Sequence, residues 1–386
     1  MISFTLKNKV VITCHKWLST ALCKEIKDLG YTVTNSFVTG AELYISLNDC
    51  MWLNMNLRCA SQVLYSLQSF YCNHPDDLYK AVTKIEWQGI IAKDGFFSVT
   101  STVYHPTINN NLFANVRVKD GIVDVMRKAN GIRTNTGNDL SKTVIHLHWK
   151  GEDAELFLDT SGESLAKHGY RKIPGKAPML EALAAATIYT TNWNGTTPFI
   201  NPMCGAGTLA IEAALIATNR SPGLLRKNYA FMHILGYNDD AYTKALHTLF
   251  AQIKPNPTIP IIATDISADA IHITKINASL ADVDDLITYN VCDFAQTTLP
   301  TQAGTILLNP EYGDRLGDIN ELESTYGRIG DFFKQKCAGY SGFIFTGNLD
   351  LAKKIGLKPK RRTEFLNGKI DCRLLEYELY AGTKRV

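Results

Sequence analysis

Between residues 198 and 218 a short apolar run, Pro198-Phe-Ile200, breaks into Asn201-Pro-Met-Cys-Gly-Ala-Gly-Thr208 and resumes as the helical stretch LAIEAALIAT. Strand, glycine turn and helix together form the opening unit of a parallel α/β sheet. A helix over 177–192 (APMLEALAAATIYTTN) precedes it, with Pro178 near its start, where proline is tolerated. The pattern then returns. Residues 259–264 are apolar and end at Asp265, and Ser267 is placed to cap a helix marked by Ala270, Ile271, Ile273, Thr274, Ile276 and Leu280. Residues 286–291 lead to Asp293, and 305–308 lead to Asn309-Pro-Glu-Tyr-Gly313. A helix around 329–336 and a strand over 342–346 follow. At the end, 362–366 and 369–380 flank Asn367-Gly368, a strong hairpin signal. The expected second half is a mostly parallel sheet closed by an antiparallel hairpin.

The first half is less regular. A strand at 10–13, a helix at 17–29 and strands at 31–39 and 41–47 suggest a small α+β unit. Strands are also expected at 96–104 and 143–149, with a helix over 111–129 between them. Residues 159–176 (DTSGESLAKHGYRKIPGK) read as a polar linker between the halves. A length of 386 residues fits two or three domains.

Composition excludes more than it assigns. No stretch is long and apolar enough to span a membrane, and the first residues lack the pattern of a secretory signal. Nine cysteines, odd in number and without a C-x-x-C, suggest neither a disulfide framework nor a zinc site; a reducing cytoplasm is the expected location, with no metal. Forty basic and 37 acidic side chains leave a net charge of +3. Up to Asp159 the chain carries 16 basic and 15 acidic residues, and 24 and 22 after it, so neither half is a basic block. The nine histidines show no ligand spacing.

The chemistry lies at the ends of the expected strands. Gly205 and Gly207 either allow a tight turn or let a nucleotide-type cofactor lie against backbone that has no Cβ. The acidic residue that a dinucleotide fingerprint places about 20 residues later is missing. Asp265 lies 60 residues after Gly205, yet at the end of the next strand it can still accept both ribose hydroxyls. Asp293 can accept from an adenine amino group, with Phe294 packing on the ring. Asn309-Pro310-Glu311-Tyr312 is either an ordinary turn or a relative of the [ND]-P-P-[YF] signature of amino-methylating enzymes. Cys204 reads as a small buried side chain rather than a nucleophile.

In these residues, and in the stretches 119–124 (KDGIVD), 158–165 (LDTSGESL), 169–171, 181–186, 201–213, 309–315 and 367–372, the chain resembles the THUMP-containing RNA guanine-N2 methyltransferases that use S-adenosyl-L-methionine. The resemblance implies a Rossmann-like seven-stranded sheet with a terminal antiparallel hairpin, preceded by α+β ferredoxin-like and THUMP domains. The implied divisions are 1–50, ferredoxin-like; 51–160, THUMP; and 161–386, methyltransferase, in a form with a single catalytic domain. It implies that Asn201, Pro202, Met203, Cys204, Gly205, Gly207 and Thr208 surround the cofactor's methionine part. Asp265 and Ile266 would lie at its ribose, and Asp293 and Phe294 at its adenine. Asn309, the Pro310 carbonyl and Tyr312 would form the guanine site. The implied partner is structured RNA, 23S rRNA or a pre-ribosomal particle first and tRNA as the alternative.

Two positions depart from the family pattern. Asn201 replaces the usual aspartate, which weakens a hydrogen bond while keeping the turn's shape. Glu311 replaces the second proline; its carboxylate either accepts from the N1–H edge of guanine or faces solvent. Lys119 and Arg133, with Arg127 and Lys128, are the RNA-contact candidates of the THUMP-like stretch. Arg171, with Lys167, Lys172 and Lys176, marks the linker, and Arg361 and Arg362 end the run Lys358-Pro-Lys-Arg-Arg. From another class, a catalytically inactive relative that only binds RNA is distinguished by failure to bind the cofactor.

Overall fold

In the computed structural model, apolar runs and capping residues set the elements, and the structure describes residues 1–380 except 107, 109, 176, 177, 255 and 313–318. Two units result, one of Met1–Cys14, Leu22–Leu165 and Pro222–Thr248, the other of His15–Ala21, Ala166–Ser221 and the chain from Leu249 onward. Among the described residues no helix is long and apolar enough to cross a membrane, and no described cluster of His, Cys, Asp and Glu could hold a metal ion.

In chain order the first half contains β1 (Lys7–Thr13), α1 (Ser19–Asp28), β2 (Asn35–Phe37), β3 (Gly40–Ser46), α2 (Leu47–Asn56), β4 (Gln62–Tyr71) and α3 (Pro75–Val82). Then come β5 (Phe96–Tyr104), α4 (Asn111–Asn130), β6 (Asn135–Gly137), β7 (Thr143–Lys150) and β8 (Asp153–Asp159). The eight strands form one mixed sheet in the order β2-β3-β1-β4-β8-β7-β5-β6. β1 lies antiparallel to β3 and β4, whereas β5 is parallel to both β6 and β7. The strand expected through residue 47 stops at Ser46 because Ser46 caps α2. Its hydroxyl accepts from the Asp49 N–H, and the Asp49 carboxylate accepts from the Ser46 N–H, a reciprocal capping box.

The segment expected as a polar linker from residue 159 is instead structured at its start. Asp159, Thr160 and Ser161 are wholly buried. The Asp159 carboxylate accepts from Gln62 Nε2 at 2.7 Å, the Ser161 N–H at 2.9 Å and the Gly162 N–H at 3.2 Å. Arg226, from the insertion 222–248 of the same unit, donates to the carbonyls of Ser161 and Glu163. Polar composition suggested solvent, but these polar groups pair with one another and with backbone, which is the condition under which polarity can be buried.

The second half contains α5 (Glu181–Thr190), β9 (Phe199–Pro202), α6 (Thr208–Ala217), α7 (Asp239–Ala251), β10 (Ile261–Asp265) and α8 (Ala268–Leu280). It continues with β11 (Ile287–Val291), β12 (Thr305–Leu308), α9 (Ile319–Lys336), β13 (Ser341–Thr346), α10 (Leu349–Lys353), β14 (Arg361–Asn367) and β15 (Ile370–Glu378). The seven strands run β11-β10-β9-β12-β13-β15-β14. β9 pairs parallel with β10 and β12, β12 with β13, and β10 with β11. β15 pairs antiparallel with β13 and β14, which gives the expected closing hairpin. Ile200, Ile306, Leu308, Tyr326, Ile329 and Phe333 belong to a buried cluster between sheet and helices. Strand order reverses between β9 and β12. In an open parallel sheet, that reversal opens a crevice at the carboxyl ends of the strands, where ligands bind.

Candidate active site at the strand ends

Asn201 and Pro202 close β9, Asp265 closes β10, Asp293 follows β11 and Asn309 follows β12. Four separated stretches therefore bring their polar ends to the carboxyl edge of adjacent strands. The turn after β9 is held by three left-handed residues, Met203 (φ 59°), Gly205 (φ 56°) and Gly207 (φ 80°). Methionine is uncommon in that region, and such strain collects where a loop must take one shape. At Gly207 the need for glycine is also steric, since a Cβ would lie 2.4 Å from Thr274 Cγ2.

α8 fixes the rest of the turn. Thr274 Oγ1 donates to the Gly205 carbonyl at 2.9 Å, and Asn277 Nδ2 donates to the Ala206 carbonyl at 3.3 Å. The Gly205 N–H in turn donates to Asp265 Oδ2 at 2.9 Å, and the Ser267 N–H donates to Asp265 Oδ1 at the same distance. Both oxygens are held in place, yet a carboxylate has about four acceptor positions, so two remain for a ligand. Ile266, beside it, is 74% exposed, a large apolar side chain left open at a strand end. Cys204 is buried, and burial pushes its thiol up to about 12, which keeps it protonated and unsuited to nucleophilic attack.

Asn201 is buried, and its Nδ2 donates to the Leu307 carbonyl on β12 at 2.9 Å. A carboxylate could not make that bond, so the amide ties the two strands at the reversal point. Asn201 Oδ1 and Asn309 Oδ1 are buried without a hydrogen-bond partner among the described residues. The two atoms lie at the ends of neighbouring strands, on either side of the point where the strand order reverses.

Asp293 and Phe294 are arranged differently from each other. Burial opposes the Asp293 charge, but hydrogen bonds from Arg328 and the Ala295 N–H hold its carboxyl below the usual range. Arg328 pairs with Asp293 Oδ1 at 2.7 Å and covers the Phe294 ring at 5.0 Å. The expected stacking surface of Phe294 is turned into the core. The ring is buried and meets Phe332 edge-on, because the short helical turn at 294–296 points it under α9.

At the end of β12 Pro310 is buried, Glu311 is exposed and Tyr312 is half-buried. The remaining residues of the 309–315 stretch, Gly313, Asp314 and Arg315, lie outside the described residues. Tyr312 accepts from Asn367 Nδ2 at 2.9 Å, and burial raises its phenol above the ordinary value.

The basic candidates separate by environment. Arg133 and Arg362 are exposed. Lys119 donates to the Gly137 carbonyl at 3.1 Å, and Arg361 is held by Glu376 and the Thr190 carbonyl. Arg171, expected on an RNA-facing surface, is instead drawn inward. Its guanidinium pairs with the buried Glu181 at 2.8 Å and also donates to the Met179 carbonyl and to Thr208 Oγ1. Three of its five donors are thereby engaged within the protein. Lys176, named with it, lies outside the described residues. Arg328, Thr274 and Asn277 went unrecognised in the sequence, where 35 to 71 residues separate them from the groups they hold.

These arrangements fit a nucleoside-bearing cofactor: a rigid carboxylate with spare acceptors, an open apolar side chain beside it, and a backbone turn whose carbonyls are tied back. They also leave an unpaired amide oxygen at the next strand end, suited to receive an amino hydrogen.

Comparison with known proteins agrees with this layout. The chain matches the RMKL-like methyltransferase domain family over residues 168–376, the RlmL ferredoxin-like domain over 9–64 and the THUMP domain over 72–159. The ribosomal RNA large subunit methyltransferase K/L of Syntrophotalea carbinolica is 32% identical over 383 residues, covering 96% of this chain and 53% of that protein. A putative RNA methyltransferase of Synechocystis is 31% identical over 368 residues, covering 95% of this chain and 96% of the other. The chain thus spans about half the length of the K/L relatives and nearly all of the Synechocystis one. Among solved structures, a possible methylase from Clostridium difficile 630 superposes with a TM-score of 0.88 at 27% identity, covering 98% of this chain and all of that one.

Proposed function

This chain belongs to the RMKL-like methyltransferase family, and we propose that it transfers a methyl group from S-adenosyl-L-methionine to the exocyclic N2 of a guanine in RNA, with 23S rRNA as the target. The observation that carries this reading is Asn309 Oδ1, buried and without a partner among the described residues, immediately before Pro310 at the sheet's reversal point. We assign 1–50 and 51–160 to the ferredoxin-like and THUMP parts that capture RNA, and 161–386 to catalysis. We assign RNA contacts to Arg133 and, through its remaining donors, Lys119 in the first unit, and separately to Arg362 in the second.

The turn 201–208, Asp265 with Ile266, and Asp293 with the backbone of Phe294 are the groups that would hold the cofactor. When bound there it supplies a methyl carried on a sulfonium, already electrophilic and in need of no further activation. The protein's work is on the acceptor. The lone pair of the guanine amine is delocalised into the ring, which makes it a poor nucleophile. Asn309 Oδ1 and the Pro310 carbonyl accept its two hydrogens, which favours a tetrahedral nitrogen and fixes its direction. Tyr312 supplies an aromatic wall for a base taken out of its helix. Catalysis of this kind rests on positioning.

Asn309→Ala tests the reading directly. Affinity for S-adenosyl-L-methionine, measured by calorimetry, should stay near that of the parent while methyl transfer to RNA is lost; full transfer would refute the site. Glu311→Pro separates the two roles of that carboxylate: if it reads the N1–H edge, the variant binds cofactor normally and loses its preference for guanine. Wild-type protein that binds no S-adenosyl-L-methionine would favour an RNA-binding relative without activity.

A further inference from the structure

Tyr312 is held more firmly than a stacking residue at a loop needs to be, and what holds it comes from the far end of the sheet. Asn367, the last residue of β14, donates from Nδ2 to the phenol oxygen at 2.9 Å, and Cys372 on β15 approaches the same oxygen from Sγ at 3.7 Å. Phe345 tilts against the tyrosine ring at 6.4 Å between centroids. On a further side lies Gly347, where a Cβ would stand 2.8 Å from Tyr312 Cδ2 and Cε2 and 2.6 Å from Ile370 Cγ2. The missing side chain of Gly347 is therefore the slot that the ring occupies. Asn367 and Ile370 face each other across the hairpin register, so one two-residue turn supplies both the hydrogen bond and a wall of the slot.

We propose that Asn367 is a positioning residue for the target base: the β14–β15 hairpin clamps Tyr312 in one orientation and so belongs to the substrate site as well as to the sheet edge. This rests on the assignment of Tyr312 to the guanine site. The hydrogen bond tethers the phenol end of the ring, and the glycine slot with Phe345 sets where its faces lie. Among the described residues Asn367 hydrogen-bonds none of the cofactor residues, so the effect is expected on the nucleic acid side of the reaction.

The test is a double-mutant cycle of methyl transfer to rRNA from a strain lacking the gene. Asn367→Leu and Tyr312→Phe should each lower kcat/KM for RNA about fivefold to tenfold, the size of one lost hydrogen bond, with KM for S-adenosyl-L-methionine unchanged. The double variant should be no slower than the slower single variant, because both remove the same bond. Asn367→Asp should restore most of the rate, since a carboxylate can accept from the phenol and keeps the turn. Multiplying losses in the double variant would make Asn367 a turn residue only and overturn the proposal. So would full activity in Tyr312→Phe. A second readout does not depend on turnover. In protein labelled on tyrosine ring carbons, the Tyr312 Cζ signal, assigned by its loss in Tyr312→Phe, should shift in Asn367→Leu as the phenol oxygen loses its donor. An unchanged signal would refute the clamp. Wild-type protein that shows the clamp yet methylates no RNA would instead refute the function assigned to the site.

Discussion

Asp159 in the first unit and Asn309 in the second both carry polar side chains at the end of a strand, and the two are treated in opposite ways. The Asp159 carboxylate is wholly buried and met by three donors, one from β4 and two from the turn that follows Asp159. Asn309 has a buried carbonyl oxygen that no described group meets. Asp159 closes a structure; Asn309 leaves a bond to be made by something else. Under the proposed function, the difference separates a polar residue kept for folding from one kept for chemistry.

Substitutions should break the two residues differently. Asn309→Ala is expected to have the largest effect on function, about a hundredfold or more in transfer rate from lost positioning, with no loss of stability, since it removes an unpaired buried atom. Radiolabelled transfer and a thermal melt check both halves. Asp159→Ala should reverse the pattern and destabilise the first unit by about 3 kcal/mol, because Gln62 and two backbone N–H groups lose their acceptor. Hydrogen exchange at β4 and β8 reads that loss, and protection equal to the parent would contradict it.

Acid sharpens the comparison inside the first unit. Burial lowers His146 to about 4 and raises Asp159 to about 6. For His146 the unfolded chain takes the proton first, so its share of stability is complete above the unfolded value of 6.5 and is lost as pH falls toward 4. For Asp159 the folded chain takes the proton first, so its share is complete below 3.8 and is lost as pH rises through 6. Each is worth about 3 kcal/mol at most, and between pH 4 and 6 they oppose each other. His146→Gln should therefore leave a first unit that gains stability on acidification across that window. Urea unfolding at pH 4.5 and 6.5 measures it, and an unchanged pH profile would contradict the assignment. The smallest effect belongs to the surface. Arg362→Ala should weaken RNA binding uniformly and lower the salt slope by about one unit, the mark of a phosphate contact.

The second half was legible in the sequence because its strands are short apolar runs, each ending in a residue that announces a turn: Asn201-Pro202, Asp265, Asp293, Asn309-Pro310. Even there the sequence could not show that Phe294 turns into the core or that Arg171 faces Glu181, since both depend on packing from elements far along the chain. The first half was harder. β4 (QVLYSLQSFY) does not alternate cleanly, and its pairing with β8 shifts register between Ser66 and Gln68, which hides its period. α2 follows β3 with no glycine or proline between them; the signal was Ser46 and Asp49 at capping-box spacing. Asn367 stood in plain view as a hairpin residue, but its bond to Tyr312 spans 55 positions and has no local trace.

The most direct measurement of the central proposal is mass mapping of methylated guanosines in rRNA and tRNA from cells with and without the gene. One N2-methylguanosine in 23S rRNA that disappears with the gene, and returns with the wild-type protein but not with Asn309→Ala, is the predicted result. An unchanged set of methylated guanosines in both RNAs would contradict it.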